Sequence, residues 1–156
     1  MFARVFLAHQ INSLTQIYHV SIITNIEGKL NLLDNISDEV SIIDIPIKRE
    51  INLIYDLYVL FLLIIILRKS KFSLVHSANP KAGLIAAIAA WISRVPNRLH
   101  TFTGQTWATS KGIQRWMLRL LDKLVVMLNS QTLVDSNSQK EFLVREGVLK
   151  TECALV

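Results

Sequence analysis

Short β-branched or apolar runs alternate with longer helical segments along this sequence, and that alternation limits the fold more than any other feature. Apolar residues at three- and four-residue spacing indicate helices, whereas short apolar runs between turn residues indicate buried strands. Strands that alternate with helices predict an α/β fold, in which helices cover both faces of a parallel sheet. The predicted strands are 20–24, 40–47, 72–76, 98–102 and 132–135, and the predicted helices are 4–18, 53–69, 81–93, 113–127 and a last one from Ser136 or Ser138 to Arg145.

The residues between these segments support their boundaries. Pro80 suits the first turn of the helix 81–93, with Ser77 or Asn79 as its cap. That helix is rich in alanine and contains Gly83, so we expect it to pack close to the sheet. Gly147 follows the last predicted helix and suits the position just beyond a helix end.

The apolar content raises the question of membrane insertion. The chain is 51% hydrophobic and 19% charged, which excludes a disordered protein. The one candidate membrane segment, Leu57 to Leu67, has eleven residues without a charge and is bounded by Asp56 and Arg68. Because a spanning helix needs roughly 20 apolar residues, this run predicts a helix buried in the core. The apolar start of the chain is interrupted too early, at His9, for a signal peptide.

Charge and cysteine content narrow the possible partners. Residues 1–56 hold 4 Lys/Arg and 7 Asp/Glu, whereas residues 57–156 hold 13 and 5. A basic half fits anionic lipid or a phosphorylated substrate, and no nucleic-acid motif accompanies it.

The single cysteine, Cys153, fits a reducing cytoplasm. The four histidines are far apart, so no metal site is expected, and no Gly-x-Gly-x-x-Gly follows any predicted strand, which argues against a dinucleotide-binding enzyme. We therefore expect no cofactor.

Two polar segments follow neighbouring predicted strands, where doubly wound sheets bind their ligands. In the segment 76–81, after the third predicted strand, a helix start and Lys81 would attract an anion, although helix capping alone explains the same residues. In the segment 101–105, after the fourth predicted strand, a glycine-containing loop offers hydroxyl, amide and backbone groups to a sugar. The segment 135–139 follows the last strand and fits either substrate contact or capping. The candidate substrate-binding residues are His76, Ser77, Asn79, Lys81, Thr103, Gly104 and Gln105.

A basic stripe recurs every four residues on the predicted helix 113–127 and just before it. Cations beside aromatic residues are typical of a helix that lies at a membrane surface, although a solvated helix face explains them too. Asp122 is the nearby acidic residue expected to compensate this charge. The candidate membrane-binding residues are Trp107, Lys111, Arg115, Trp116, Arg119 and Lys123.

Three runs carry a family resemblance. They are Val75 to Gly83, His100 to Ala108 and Asp135 to Gln139. In this order and spacing they resemble the N-terminal domain of retaining glycosyltransferases of family 4, most of all the capsule and O-antigen branch. The segments 45–51 and 9–25 resemble the same branch, so the likeness covers nearly the whole chain.

The resemblance implies a GT-B enzyme whose Rossmann-like N-terminal domain binds the acceptor and the membrane. It implies transfer of a sugar from a nucleotide-sugar to an undecaprenyl-diphosphate-linked acceptor, at the inner face of the cell membrane. Residues 1–156 would be this acceptor-side domain, without its first strand and without the C-terminal domain that binds the nucleotide-sugar. Many relatives have histidine in place of Thr103, so that residue's role is not carried over. The alternatives are a non-catalytic membrane-associated module or a subunit of a split glycosyltransferase.

Overall fold

The computed structural model describes residues 2–26, 35–48, 50–150 and 154–155. They divide into two compact units, Met1–Ile51 and Asn52–Val156. Within the described residues, no helix combines the length and the apolar character needed to cross a membrane. Cys153 lies outside the described residues.

The first unit contains one helix and a two-stranded parallel sheet. Helix α1 spans Phe2–Thr15, strand β1 spans Ser21–Thr24 and strand β2 spans Ser41–Asp44. The Asn12 side chain donates to the Asn35 carbonyl at 2.8 Å and accepts from the Ser37 amide at 2.9 Å, which fixes the residues before β2 to α1. The predicted helix 4–18 is confirmed but begins and ends earlier in the chain, and the predicted strands 20–24 and 40–47 are confirmed with shorter ends.

The second unit contains a four-stranded parallel sheet. Its strands are β3, Leu74–Ser77, β4, Asn97–Phe102, β5, Gln131–Val134, and β6, Ala154–Leu155, and they pair in that order. The helices are α2, Leu53–Ser70, α3, Pro80–Ile92, α4, Gly112–Leu128, and α5, Asn137–Arg145, with a short 3-10 helix at Thr106–Ala108. The predicted α/β, Rossmann-like architecture of parallel strands and flanking helices is confirmed, with the strands distributed over two sheets.

Helix α3 packs tightly on the sheet, as its small residues predict. A Cβ atom placed on Gly83 would lie 2.5 Å from Cε1 of His100 on β4. Only a glycine at this position lets the helix approach the ring so closely. Further along the sheet, a core of buried side chains joins β4, β5 and α5; it comprises Phe102, Trp107, Val134, Leu143, Val148 and Leu149.

Helix α2 is less buried than its sequence predicts. Val59, Leu63 and Leu67 form its buried face, and the helix packs along α3. Its other face carries apolar side chains that are mostly exposed, including Ile54 at 83% and Phe61 at 62%. The expectation of a fully buried helix is therefore wrong for the amino-terminal half of α2, because only one side of it meets another element.

Capping follows the sequence at α5 but only partly at α3. Ser136 Oγ accepts from the Gln139 amide at 3.2 Å, so Ser136 is the cap of α5. Gly147, with φ 65°, follows the end of this helix as predicted. At α3, Asn79 occupies the capping position and Pro80 follows it, but the Asn79 side chain makes no capping hydrogen bond.

Candidate functional site

The two polar segments predicted after β3 and β4 lie side by side. The strands are parallel neighbours in which Ser77 pairs with His100, so their carboxyl ends meet at the same edge of the sheet. The Thr103 hydroxyl donates to the Ala78 carbonyl at 3.2 Å and links the two loops directly. The structure therefore brings the predicted substrate-binding segments into one cluster.

His76 and Ser77 are held by the neighbouring strand. His76 Nε2 lies 2.7 Å from the Thr101 hydroxyl, and Ser77 Oγ lies 2.9 Å from His100 Nδ1. Burial lowers the pKa of His76. Both side chains therefore use polar atoms to fasten β3 to β4, which makes them residues that position the loop after β3.

His100 is a buried, neutral residue of the sheet. Its side chain is 2% exposed, and its ring meets Phe102 edge-on with centroids 4.8 Å apart. Burial, with a smaller contribution from nearby His76, lowers the pKa of His100 to about 4. A histidine that stays neutral and packs against Gly83 serves the structure of this edge.

Asn79 and Lys81 differ in what they offer a ligand. Asn79 is exposed, and its side chain is not used for capping. Lys81 Nζ forms an ion pair with Asp56 Oδ1 of α2 at 2.7 Å, and both side chains are mostly buried. The charge that the sequence assigns to an anionic ligand is therefore already compensated within the protein.

The loop after β4 is held by a glutamine pair. Gly104 has φ 124°, a conformation that favours glycine, and nothing lies within 4 Å of the place a Cβ atom would take. Gln139 Nε2 donates to the Phe102 carbonyl at 3.2 Å and to Gln105 Oε1 at 3.4 Å, while Gln139 Oε1 accepts from the Asp135 amide at 2.7 Å. The sequence analysis missed this contact of Gln139. The signal was present, since serine followed three residues later by glutamine is typical of a helix start whose glutamine side chain bonds nearby backbone.

A small cavity lies where the two loops meet. Its volume is about 10 Å³, which is room for roughly one water molecule. It is lined by Ala78, Pro80, His100, Phe102, Thr103, Gly104, Thr106 and Asp122. The cavity is too small to hold a sugar.

Trp107 does not lie on the exposed surface of the basic stripe. Its ring is 1% exposed and stacks on Phe142 of α5 with centroids 5.3 Å apart. Trp107 Nε1 donates to Asp122 Oδ2 at 2.6 Å, and burial raises the pKa of that carboxyl group, partly offset by this hydrogen bond. The expectation that Trp107 accompanies a surface stripe is wrong, because its ring is buried in the core between the loop, α4 and α5.

Two arginines of the basic stripe form ion pairs within the protein. Arg115 and Arg119 both pair with Glu146 after α5, at 2.9 and 3.5 Å. Arg115 also lies over the Trp107 ring, 5.7 Å from its centroid. Glu146, thirty-one residues from Arg115, therefore provides the compensation that the sequence analysis assigned to Asp122.

Next to this stripe, α4 presents an exposed apolar face. Ile113 is 85% and Trp116 63% exposed, and Lys111 is exposed just before the helix. At 100° per residue the members of this face lie on one side of α4, with Lys123 beside them. The exposed apolar residues are Ile113, Trp116, Met117, Leu120 and Met127.

Within the described residues, no group of three or more His, Cys, Asp or Glu side chains is arranged to hold a metal ion. A parallel sheet with flanking helices defines a Rossmann-like α/β protein, a class in which ligands commonly bind at the carboxyl ends of the strands. Comparison with known families is more specific. The chain belongs to the glycosyl transferase 4-like domain family, whose sequence model matches residues 18–156. The resemblance to family 4 glycosyltransferases is thereby confirmed, and with it the GT-B type of fold.

Two curated relatives match parts of the chain. It is 36% identical over 106 residues to the capsular polysaccharide biosynthesis glycosyltransferase CapM of Staphylococcus aureus. The matched region covers 68% of this chain and 28% of that protein. It is 28% identical over 117 residues to the UDP-Gal:alpha-D-GlcNAc-diphosphoundecaprenol alpha-1,3-galactosyltransferase of Escherichia coli, which covers 74% of this chain and 30% of that protein. The chain therefore spans less than a third of the length of these relatives.

Proposed function

We propose that this chain is the acceptor-side domain of a glycosyltransferase of surface-polysaccharide biosynthesis. In this proposal it binds a sugar linked to undecaprenyl diphosphate, and a separate donor domain binds the nucleotide-sugar. The observation that carries the proposal is the meeting of two polar loops at one sheet edge, in a chain whose residues 18–156 match the family. The relatives named above, one of which acts on a diphosphoundecaprenol-linked sugar, supply the class of acceptor.

The groups of the cluster have different tasks in this proposal. Asn79, Thr103, Gly104 and Gln105 contact the acceptor, since the first three are exposed and the fourth follows them in the loop. The start of α3 attracts the diphosphate through its backbone N–H groups. Holding the acceptor hydroxyl against the anomeric carbon lowers the entropic part of the barrier, and stabilising the leaving diphosphate is the task of the donor domain.

Helix α4 is the proposed membrane contact, at the inner face of the cell membrane. Its exposed apolar side chains would enter the headgroup region while Lys111 and Lys123 meet anionic lipids. Arg115 and Arg119 contribute less, because each already pairs with Glu146. The second candidate function, a membrane-associated module without acceptor recognition, is favoured by this same surface taken alone.

The proposal is tested by binding to two kinds of anionic vesicle, with and without GlcNAc-diphosphoundecaprenol. The chain should bind the acceptor-containing vesicles more tightly, and Asn79→Ala should reduce this preference about fivefold, as for loss of one hydrogen bond. Asn97→Ala is the matched control, because Asn97 lies at the opposite end of β4 and its side chain donates to the Ser73 carbonyl. Equal binding of the unaltered chain to both vesicles would favour the module without acceptor recognition.

A further inference from the structure

Gln105 and Gln139 form a pair in which one side chain dictates the orientation of the other. We propose that Gln139 fixes the Gln105 carboxamide so that it presents an N–H donor, without a protein partner, to an oxygen atom of the acceptor. This inference rests on the proposed function. It adds a positioning residue, Gln139, and a stated polarity to the site.

The backbone permits only one orientation of the Gln139 carboxamide. The Asp135 amide is a donor, so the atom 2.7 Å away must be the oxygen of Gln139. The Phe102 carbonyl is an acceptor, so the atom 3.2 Å away must be the Gln139 nitrogen. The ends of β4 and β5 therefore hold this side chain from both sides.

The orientation of Gln105 follows from that of Gln139. One hydrogen of Gln139 Nε2 goes to the Phe102 carbonyl and the other points to Gln105, 3.4 Å away, where it can meet only an oxygen. Gln105 Oε1 is thus occupied, and its Nε2 lies at the far end of the carboxamide. In the part of the chain that the structure describes, this nitrogen is buried and has no hydrogen-bond partner.

An unpaired buried donor is unfavourable and rare in native proteins, so it calls for a ligand. An N–H donor selects an oxygen acceptor, which in this site is a sugar oxygen or a diphosphate oxygen of the lipid-linked acceptor. The nitrogen lies beneath the loop, so pairing requires the loop to shift. The open space around Gly104, where nothing lies within 4 Å of a Cβ position, gives the loop room to do so.

The first test removes the donor and adds one negative charge. Gln105→Glu keeps the shape of the side chain and an oxygen for Gln139, but removes the NH₂ group. We expect its binding to vesicles with GlcNAc-diphosphoundecaprenol to fall at least about fivefold, with Gln131→Glu as the control. Gln131 is exposed at the amino end of β5, so it adds the same charge away from the cluster. Vesicles with undecaprenyl diphosphate alone identify the oxygen: a similar loss there points to the diphosphate, and no loss there points to the sugar.

The second test inverts the polarity through Gln139. Gln139→Glu still accepts from the Asp135 amide but can no longer donate to the Phe102 carbonyl. It can only accept from Gln105 Nε2, which turns that carboxamide around. We expect the same loss of acceptor binding as for Gln105→Glu, together with a changed side-chain ¹⁵NH₂ resonance of Gln105. A purely structural role would lower Tm and leave acceptor binding by the folded variant unchanged.

The outcomes separate this inference from the proposed function. If the unaltered chain shows no preference for acceptor-containing vesicles, both fail. If it shows the preference and Gln105→Glu keeps it in full, the inference alone is overturned. If Gln105→Glu loses binding while Gln139→Glu does not, Gln139 is not the positioning residue.

Discussion

At the scale of single residues, His100 and Gly83 depend on each other. The ring occupies the space that a Cβ atom of Gly83 would need, and Ser77 Oγ and Phe102 hold the ring in place from other sides. Because both neighbours are part of the same sheet edge, the ring cannot move aside without disturbing the loop after β3. The approach of α3 to β4 is therefore set by one missing methyl group.

Gly83→Ala should destabilise the second unit by about 1–3 kcal/mol, the usual cost of overpacking. The contact responsible is the 2.5 Å approach to His100 Cε1. In a His100→Ala background the same substitution should be neutral or stabilising, because alanine is favoured over glycine in a helix by roughly 1 kcal/mol. Urea denaturation of the four proteins of this cycle measures the difference. Equal costs of Gly83→Ala in both backgrounds would contradict the contact.

His100 should also make stability depend on pH. Its pKa is about 4 in the folded chain, lowered by burial and by His76, against about 6.5 when unfolded. Between these two pKa values the unfolded chain binds a proton at His100 that the folded chain does not bind. This contribution to the free energy of unfolding is fully present above about pH 6.5 and is lost as the pH falls towards about 4. Between pH 7 and 5 we expect a loss on the order of 2 kcal/mol.

The measurement is the free energy of unfolding of the chain and of His100→Gln across this range. His76, whose pKa burial also lowers, keeps part of the dependence in the variant. A His100→Gln protein with the same slope as the unaltered chain would assign the effect to other groups.

At the scale of elements, Trp107 connects the loop after β4 to α4 and α5. It stacks on Phe142, donates to Asp122 and lies beneath Arg115. Arg115 and Arg119 reach over to Glu146, so the two helices are joined by a core contact and an ion-pair contact. The loop at the candidate site is therefore tied to the helix proposed to meet the membrane.

Trp107→Phe should cost about 1–3 kcal/mol of stability, because it keeps an aromatic ring but leaves the half-buried Asp122 carboxyl group without its donor. Trp116→Phe is the matched control, since Trp116 is 63% exposed and its loss should change stability by less than about 0.5 kcal/mol. Thermal unfolding of both variants decides the matter. Comparable losses would show that the Trp107–Asp122 bond contributes little.

The sequence predicted the order and type of the five α-helices and of the first five strands, because each is an apolar run or has an apolar period. It did not predict the short 3-10 helix at Thr106–Ala108. It also indicated that the segments after β3 and β4 meet, since parallel neighbours end at one edge. It failed for contacts between residues far apart in the chain. Lys81 with Asp56, Arg115 with Glu146 and Trp107 with Asp122 are set by the packing of whole helices, and no local spacing reveals them.

At the scale of the whole molecule, the exposed large apolar side chains of the described residues lie in several places, and most of them are on α2 and α4. The face of α4 has a basic stripe beside it. On α2 the exposed apolar side chains lie in the amino-terminal half, away from Arg68 and Lys69 in the last turn, and nearby Lys81 is paired with Asp56. If anionic lipid is the partner, the two faces should respond differently to the same substitution. This difference distinguishes a specific membrane contact from nonspecific adsorption of exposed apolar surface to lipid.

Ile113→Asp should weaken sedimentation with anionic vesicles about tenfold or more, because it removes an anchoring side chain and adds a negative charge near the lipid. Ile54→Asp on α2 is the matched control, as the two isoleucines are 85% and 83% exposed. It should leave vesicle binding within about twofold of the unaltered chain. Equal weakening by both substitutions would reject α4 as the membrane contact.

The strands β3, β4, β5 and β6 pair in the order in which they occur along the chain. A ribosome releases residues at about 5–20 per second, far more slowly than a helix forms. Each new strand of this sheet therefore emerges beside an edge that its predecessor has already completed. Synthesis can add one strand–helix pair at a time, and each strand after β3 finds its first partner already made.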